Sequence, residues 1–196
     1  MNSPLHELLQ EVETLGALEF DYLEMTMDAP YAHHSLVSEK KEELCQALKR
    51  FGMDLVCHLP TFVSTADLTD TIREASIQET LRSMPTAAEL GARKTVLHPS
   101  FVNGLGPMLP DLAQQHSMAA MERILKEAER LQLFVCVENM FPGSLSLVQP
   151  EDFDEVFDRF PNAGLTLDTG HAHIGGGIER ILSFIRRFPE RIGHVH

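Results

Sequence analysis

Again and again between residues 54 and 196, an apolar run stops at a side chain able to bind a metal. LVC stops at His58, TVL at His98, FVCV at Glu138 and LTL at Asp168, and RIGHVH carries His194 and His196. The stretches between these runs place apolar residues three and four apart, as one face of a helix does. Short β-branched strands alternating with helices imply parallel strands, because a parallel pair needs a long return connection. The runs are apolar on both faces, as strands covered on both sides should be. The polar residues that end them would then share one edge of the sheet, the carboxyl edge where α/β folds carry their sites.

The same pattern predicts a helix over residues 3–15, with Ser3 as N-cap, Pro4 in the first turn and Gly16 as terminator. A strand is predicted within residues 20–28, then a helix over 38–51 closed by Gly52. Strands are predicted at 54–60, 94–100, 133–140 and 164–170, and a last one begins at 191. Between them fall helices at 70–91, 111–131, 150–160 and 178–188, of which the first should be kinked or broken by Pro85. Residues 102–110 read as a Gly/Pro-rich loop.

A chain of 196 residues, 43% hydrophobic, can bury one sizeable core, and no linker or low-complexity stretch divides it, so residues 1–196 are expected to form one domain. No apolar run approaches the ~18 residues of a membrane span. The first residues lack a charged-then-apolar leader pattern, and a soluble, cytoplasmic protein is expected. Cys45, Cys57 and Cys136 are odd in number and widely spaced, which fits reduced core thiols. The balance of 29 acidic to 16 basic residues gives a net charge of −13. That weighs against a nucleic-acid partner, unless a local basic groove or bound cations offset the field.

A histidine at a strand end is ordinary as a hydrogen-bonded rim residue. In LTLDTGHAHIGG, Asp168 can cap the following helix while His171 and His173 stay solvated, or it can share a cation with His171. Glu138 is harder to explain blandly. It follows five apolar residues, and a carboxylate there is costly to bury unless a cation or donors meet it. Imidazole with carboxylate is the ligand mix of zinc, or of manganese or iron where oxygen predominates.

The ordered series LVCHLP, TVLHP, CVENM, LDTGHA and HVH resembles the xylose isomerase-like TIM-barrel superfamily, which includes sugar isomerases and epimerases and the endonuclease IV type of apurinic endonuclease. The resemblance implies an α/β fold, a (β/α)8 barrel, with one to three divalent ions, zinc or manganese, at its carboxyl-end mouth. It implies Glu138 and Asp168 as the carboxylate ligands common to both branches and His196 as the next ligand, with His194 as the alternative register. His58 and His98 match the pair that completes a further metal site in the nuclease branch. His171 falls where nucleases bind zinc and where sugar-converting members touch substrate. Glu24 falls at a position some sugar-converting members use near substrate, although a Glu ending a strand is also ordinarily exposed. A complete barrel typically needs about 250 residues. The first strand and the last ones, with the family's final Glu ligand, are therefore expected to be missing from this chain.

Three functions fit this reading. The first is a divalent-metal-dependent sugar or sugar-phosphate isomerase or epimerase, in which Glu138 moves a proton and His171 orients a hydroxyl. The second is an endonuclease IV-like phosphodiesterase in which His58, His98, Glu138, Asp168, His171 and His196 cluster zinc. The third is a barrel relative without catalysis. In this third case the open edges of an incomplete barrel need a cover, for which a homo-oligomer is one route. The acidic charge, the absence of Trp and the scarcity of Lys/Arg clusters favour the first.

Overall fold

The computed structural model describes residues 1–196. Its strands are β1 (Tyr22–Thr26), β2 (Asp54–His58), β3 (Lys94–Leu97), β4 (Phe134–Glu138), β5 (Gly164–Leu167) and β6 (Ile192–Val195). They form one six-stranded sheet in chain order, and every neighbouring pair is parallel. Helix α1 (Leu8–Ala17) leads into β1. Helices α2 (His34–Glu39) and α3 (Lys41–Phe51) return the chain to β2, and α4 (Asp70–Glu89) and α5 (Pro110–Leu131) make the next two crossovers. Helix α6 (Phe153–Arg159) precedes β5, and α7 (Thr169–His173) and α8 (Gly177–Arg187) precede β6. Six parallel strands with helical crossovers are the larger part of a (β/α)8 barrel, two strands short of closure.

The core lies between the sheet and its helices, in two parts. Around β1 and β2, Leu23, Met25 and Cys57 meet Leu8 and Val12 of α1 and Leu44 and Leu48 of α3. Around β4 and β5, Val135, Val137, Leu165 and Leu167 meet Met118 and Ile124 of α5, Phe153 and Phe157 of α6 and Phe184 of α8. The cysteines are unpaired, as expected, and burial pushes the Cys57 thiol up to about 12, so it is a core side chain and not a nucleophile.

The helix predicted from Ser3 starts only at Leu8. Asn2 is drawn to the outer edge of β1, where its N–H donates to Glu24 O and its Oδ1 accepts from Thr26 N–H. That anchor holds the next residues in a turn, with the Ser3 N–H donating to Glu11 Oε2. Gly16 does not terminate α1. It lies inside the helix against Phe51 of α3, and a Cβ there would come within 2.3 Å of that ring.

The helix predicted over 38–51 divides at Lys40, and α2 begins earlier because the His33 side chain caps it, accepting from Ser35 N–H. Pro85 does not break α4, which runs unbroken through it. Met84 and Ala87, both fully buried, pack into different parts of the core on either side of the proline. Anchorage on both sides offsets the hydrogen bond that Pro85 cannot donate. No helix is long and apolar enough to cross a membrane.

Candidate metal centre

Strand register brings the polar residues level. Thr26 of β1 pairs with His58 of β2, His58 with Val96 of β3, and Leu97 of β3 with Val137 of β4. His98 and Glu138 each follow directly. Thr166 pairs with Glu138 on one side and His194 on the other, so Asp168 and His196 both lie two residues further toward the same edge. Alternation along a strand then turns His194 and His196 to one face, together with Glu24. Parallel pairing thus assembles one site from residues spread over the whole chain.

Glu138 is its centre. The side chain is 1% exposed, and its two oxygens face different partners. Oε2 lies 3.0 Å from His98 Nε2 and 3.5 Å from His58 Nε2, yet has no aligned hydrogen-bond donor. Oε1 lies 3.3 Å from Nδ1 of His171 and 3.3 Å from Nδ1 of His196. Burial alone would raise the Glu138 pKa, but the imidazoles of His171, His196, His58 and His98 outweigh it and hold the carboxyl far below the usual range. For His58, burial would lower the pKa, but Glu138 raises it.

Asp168 caps the following helix and also faces two imidazoles. Its Oδ1 caps α7 by accepting from His171 N–H at 2.6 Å, and its Oδ2 lies 3.4 Å from His171 Nδ1 and 3.8 Å from His196 Nδ1. His173, by contrast, is exposed and takes no part. Glu24 is not the exposed strand-end residue that its type suggests. It sits in the middle of β1, 6% exposed, with Oε2 2.9 Å from His194 Nε2 and 2.8 Å from His196 Nε2. Burial would push Glu24 up, but hydrogen bonds from the two histidines bring it down to about 2. His196, with a carboxylate at each ring nitrogen, is raised to about 10 against the opposing effect of its burial.

Sequence reasoning missed Asn139. It is fully buried, its Oδ1 accepts from Asp168 N–H, its Nδ2 donates to Asp168 O and its own carbonyl accepts from His171 Nδ1. One side chain thereby locks the β5 carboxylate to β4. Its only signal in the sequence is a polar residue directly after Glu138.

The residues fit a cation. His58 Nδ1 donates to Leu59 O at 2.8 Å, so in the neutral ring Nε2 turns a lone pair toward the orphaned Glu138 Oε2. Lone pairs facing each other in a buried site call for a proton or a cation between them. His58, His98 and Glu138 form one group with ligand atoms within 4.8 Å of one another, and Glu138, Asp168 and His171 form another. Glu138 belongs to both groups.

The model of the family described as "Xylose isomerase-like TIM barrel" matches residues 9–196. The chain belongs to the xylose isomerase-like TIM-barrel family. The uncharacterized protein MJ1311 of Methanocaldococcus jannaschii is 23% identical over 194 residues, covering 96% of this chain. This chain spans 65% of the length of that relative. The structure of a D-tagatose 3-epimerase-like protein superposes with a TM-score of 0.86 at 21% identity, over 97% of this chain and 72% of the other. An AP endonuclease, family 2, from Brucella melitensis superposes with a TM-score of 0.74 at 17% identity, over 95% of this chain and 72% of the other. At these identities the likeness is one of fold, and neighbours of this xylose isomerase-like barrel include both sugar-converting and nuclease names.

Proposed function

We propose that this xylose isomerase-like barrel is a divalent-metal-dependent enzyme that epimerises or isomerises a sugar. The observation that carries the reading is the make-up of the site. Its ion pairs are all imidazole with carboxylate, without a Lys or Arg to grip a phosphodiester. The rings of Phe101 and Phe141 flank His98 and His171 and offer a sugar an apolar wall. The epimerase-like structural neighbour supports the same substrate class.

In this reading Glu138, Asp168 and His196 would hold a cation on the Oε1 side. When bound, it would supply a Lewis acid for two adjacent substrate oxygens as a proton leaves carbon. Glu138 serves as the proton acceptor of this chain. His171, whose Nδ1 is tied to Asn139 O, is held to present its other nitrogen to a substrate hydroxyl. Glu24 keeps the His196 ring in place from behind.

Incubating the metal-loaded protein in D2O with a panel of ketoses and ketose phosphates tests the reading. Deuterium should enter the carbon beside the carbonyl, and Glu138→Gln should stop it. No exchange with any sugar, combined with cleavage of abasic duplex DNA, would overturn the assignment.

One observation favours the nuclease as a second reading. His58 and His98 complete a second seat on Glu138 Oε2, which a one-metal sugar enzyme does not need. A net charge of −13 opposes it. The mark of this alternative is binding of abasic duplex that weakens steeply with salt.

A further inference from the structure

Two adjacent histidines and a glutamate meet between α2 and α4, in a group that shares no residue with the Glu138 cluster. His33 is the N-cap of α2 and His34 its first residue, and Glu79 lies midway along α4. Both imidazoles converge on a single oxygen. His33 Nε2 lies 2.8 Å and His34 Nε2 3.5 Å from Glu79 Oε1. The two rings are tilted by 36°, with centroids 4.2 Å apart, and the three ligand atoms fall within 4.8 Å of one another.

We propose that His33, His34 and Glu79 form a further metal site, of zinc type and structural in role, that clips α2 to α4. Zinc bonds to imidazole nitrogen and carboxylate oxygen run about 2.0–2.2 Å, so ligand atoms around one tetrahedral ion sit roughly 3.4 Å apart. The two measured nitrogen-to-oxygen distances bracket that value. One ion between the three would engage both nitrogens and the oxygen together. His33 also has the support that zinc-bound histidines carry. Without an ion His33 Nδ1 accepts from Ser35 N–H; with Nε2 on an ion the ring proton moves to Nδ1, which then donates to Ser35 Oγ, 2.8 Å away, and the cap bond to Ser35 N–H is given up.

The three side chains are between 18% and 33% exposed, which leaves room for water as the fourth ligand. The clip would act on the connection after β1, the strand that carries Glu24. Asp28 in that connection already accepts from Thr26 Oγ1 and from Thr61 N–H, tying it to the segment after β2. An ion between α2 and α4 would hold the far end of the same connection.

The experiment counts zinc in the full chain after dialysis against limiting free zinc, and compares His34→Ala and Glu79→Gln with wild type. Each variant should bind one equivalent fewer, while Glu138→Ala should lose the ions of the central cluster and keep this one. The two sites therefore fail independently, and so do this inference and the sugar-enzyme reading. Nitrogen-15 spectra of the imidazoles provide a measurement that does not depend on a variant folding. Zinc should shift Nε2 of both His33 and His34 in the wild-type chain. Equal zinc content in wild type and both variants, or no shift of these two rings on saturation, would show an ordinary histidine–carboxylate contact and overturn the proposal.

Discussion

Glu24 and His196 lie 172 residues apart in the chain and meet side chain to side chain, both Glu24 oxygens within 2.9 Å of His196 Nε2. No other contact joins the first strand to the last residue so directly, and it hands His196 to Glu138 in one orientation. Glu24→Gln removes the carboxylate behind the ring and leaves its volume. Affinity for the central cation should fall about 10–100-fold, the usual cost of losing an outer-shell partner of a ligand. Zinc or manganese titration checks this, and an unchanged dissociation constant removes Glu24 from the support of the site.

The same pair sets a pH dependence in metal-free protein. Glu24 is brought from 4.5 to about 2, and an acid depressed in this way contributes stability that is present above 4.5 and lost as pH falls toward 2. His196 is raised from 6.5 to about 10, and a base raised in this way contributes stability that is full below 6.5 and lost as pH rises through 10. Stability from this pair should therefore be greatest between 4.5 and 6.5 and decline on both sides. Thermal melts in chelator from pH 6.5 down toward 2 should show a weaker acid decline in Glu24→Gln. Identical pH profiles for the two proteins would contradict the linkage.

Glu138→Gln should abolish tight binding at both seats, because both groups include that carboxylate. His98→Ala should remove only the ion on the Oε2 side and leave the one near Asp168 and His196. Metal content by elemental analysis separates these outcomes. If His98→Ala keeps its full metal complement, His58 and His98 line a pocket and do not hold an ion.

Phe153 is fully buried, with the rings of Phe157, Phe184 and Phe188 centred 5.6, 5.7 and 6.4 Å away. Phe153→Ala should cost about 3–5 kcal/mol of unfolding free energy, from lost burial plus the cavity left behind. Urea denaturation measures it. A loss below about 1 kcal/mol would mean that the neighbouring rings collapse into the space.

Much of this protein follows from short-range sequence signals. The alternation of apolar strands and amphipathic helices determines the parallel α/β order, because crossover connections leave few other arrangements. The residues that end those strands or directly follow them had to share one edge, and so His58, His98, Glu138, Asp168 and His196 were legible as a set. Local signals misled where a distant partner intervened. Pro85 stays inside α4 because core packing on both sides outweighs one missing bond, and Ser3 does not cap α1 because Asn2 is bound to the edge of β1. Only the tertiary structure decided that Glu24 is buried against His194 and His196, that Asn139 fastens Asp168, and that Glu138 divides its oxygens between two sets of imidazoles. A sequence shows which face a side chain takes along its own strand. The curl of the sheet, which brings β1 within reach of the end of β6, sets what it meets there.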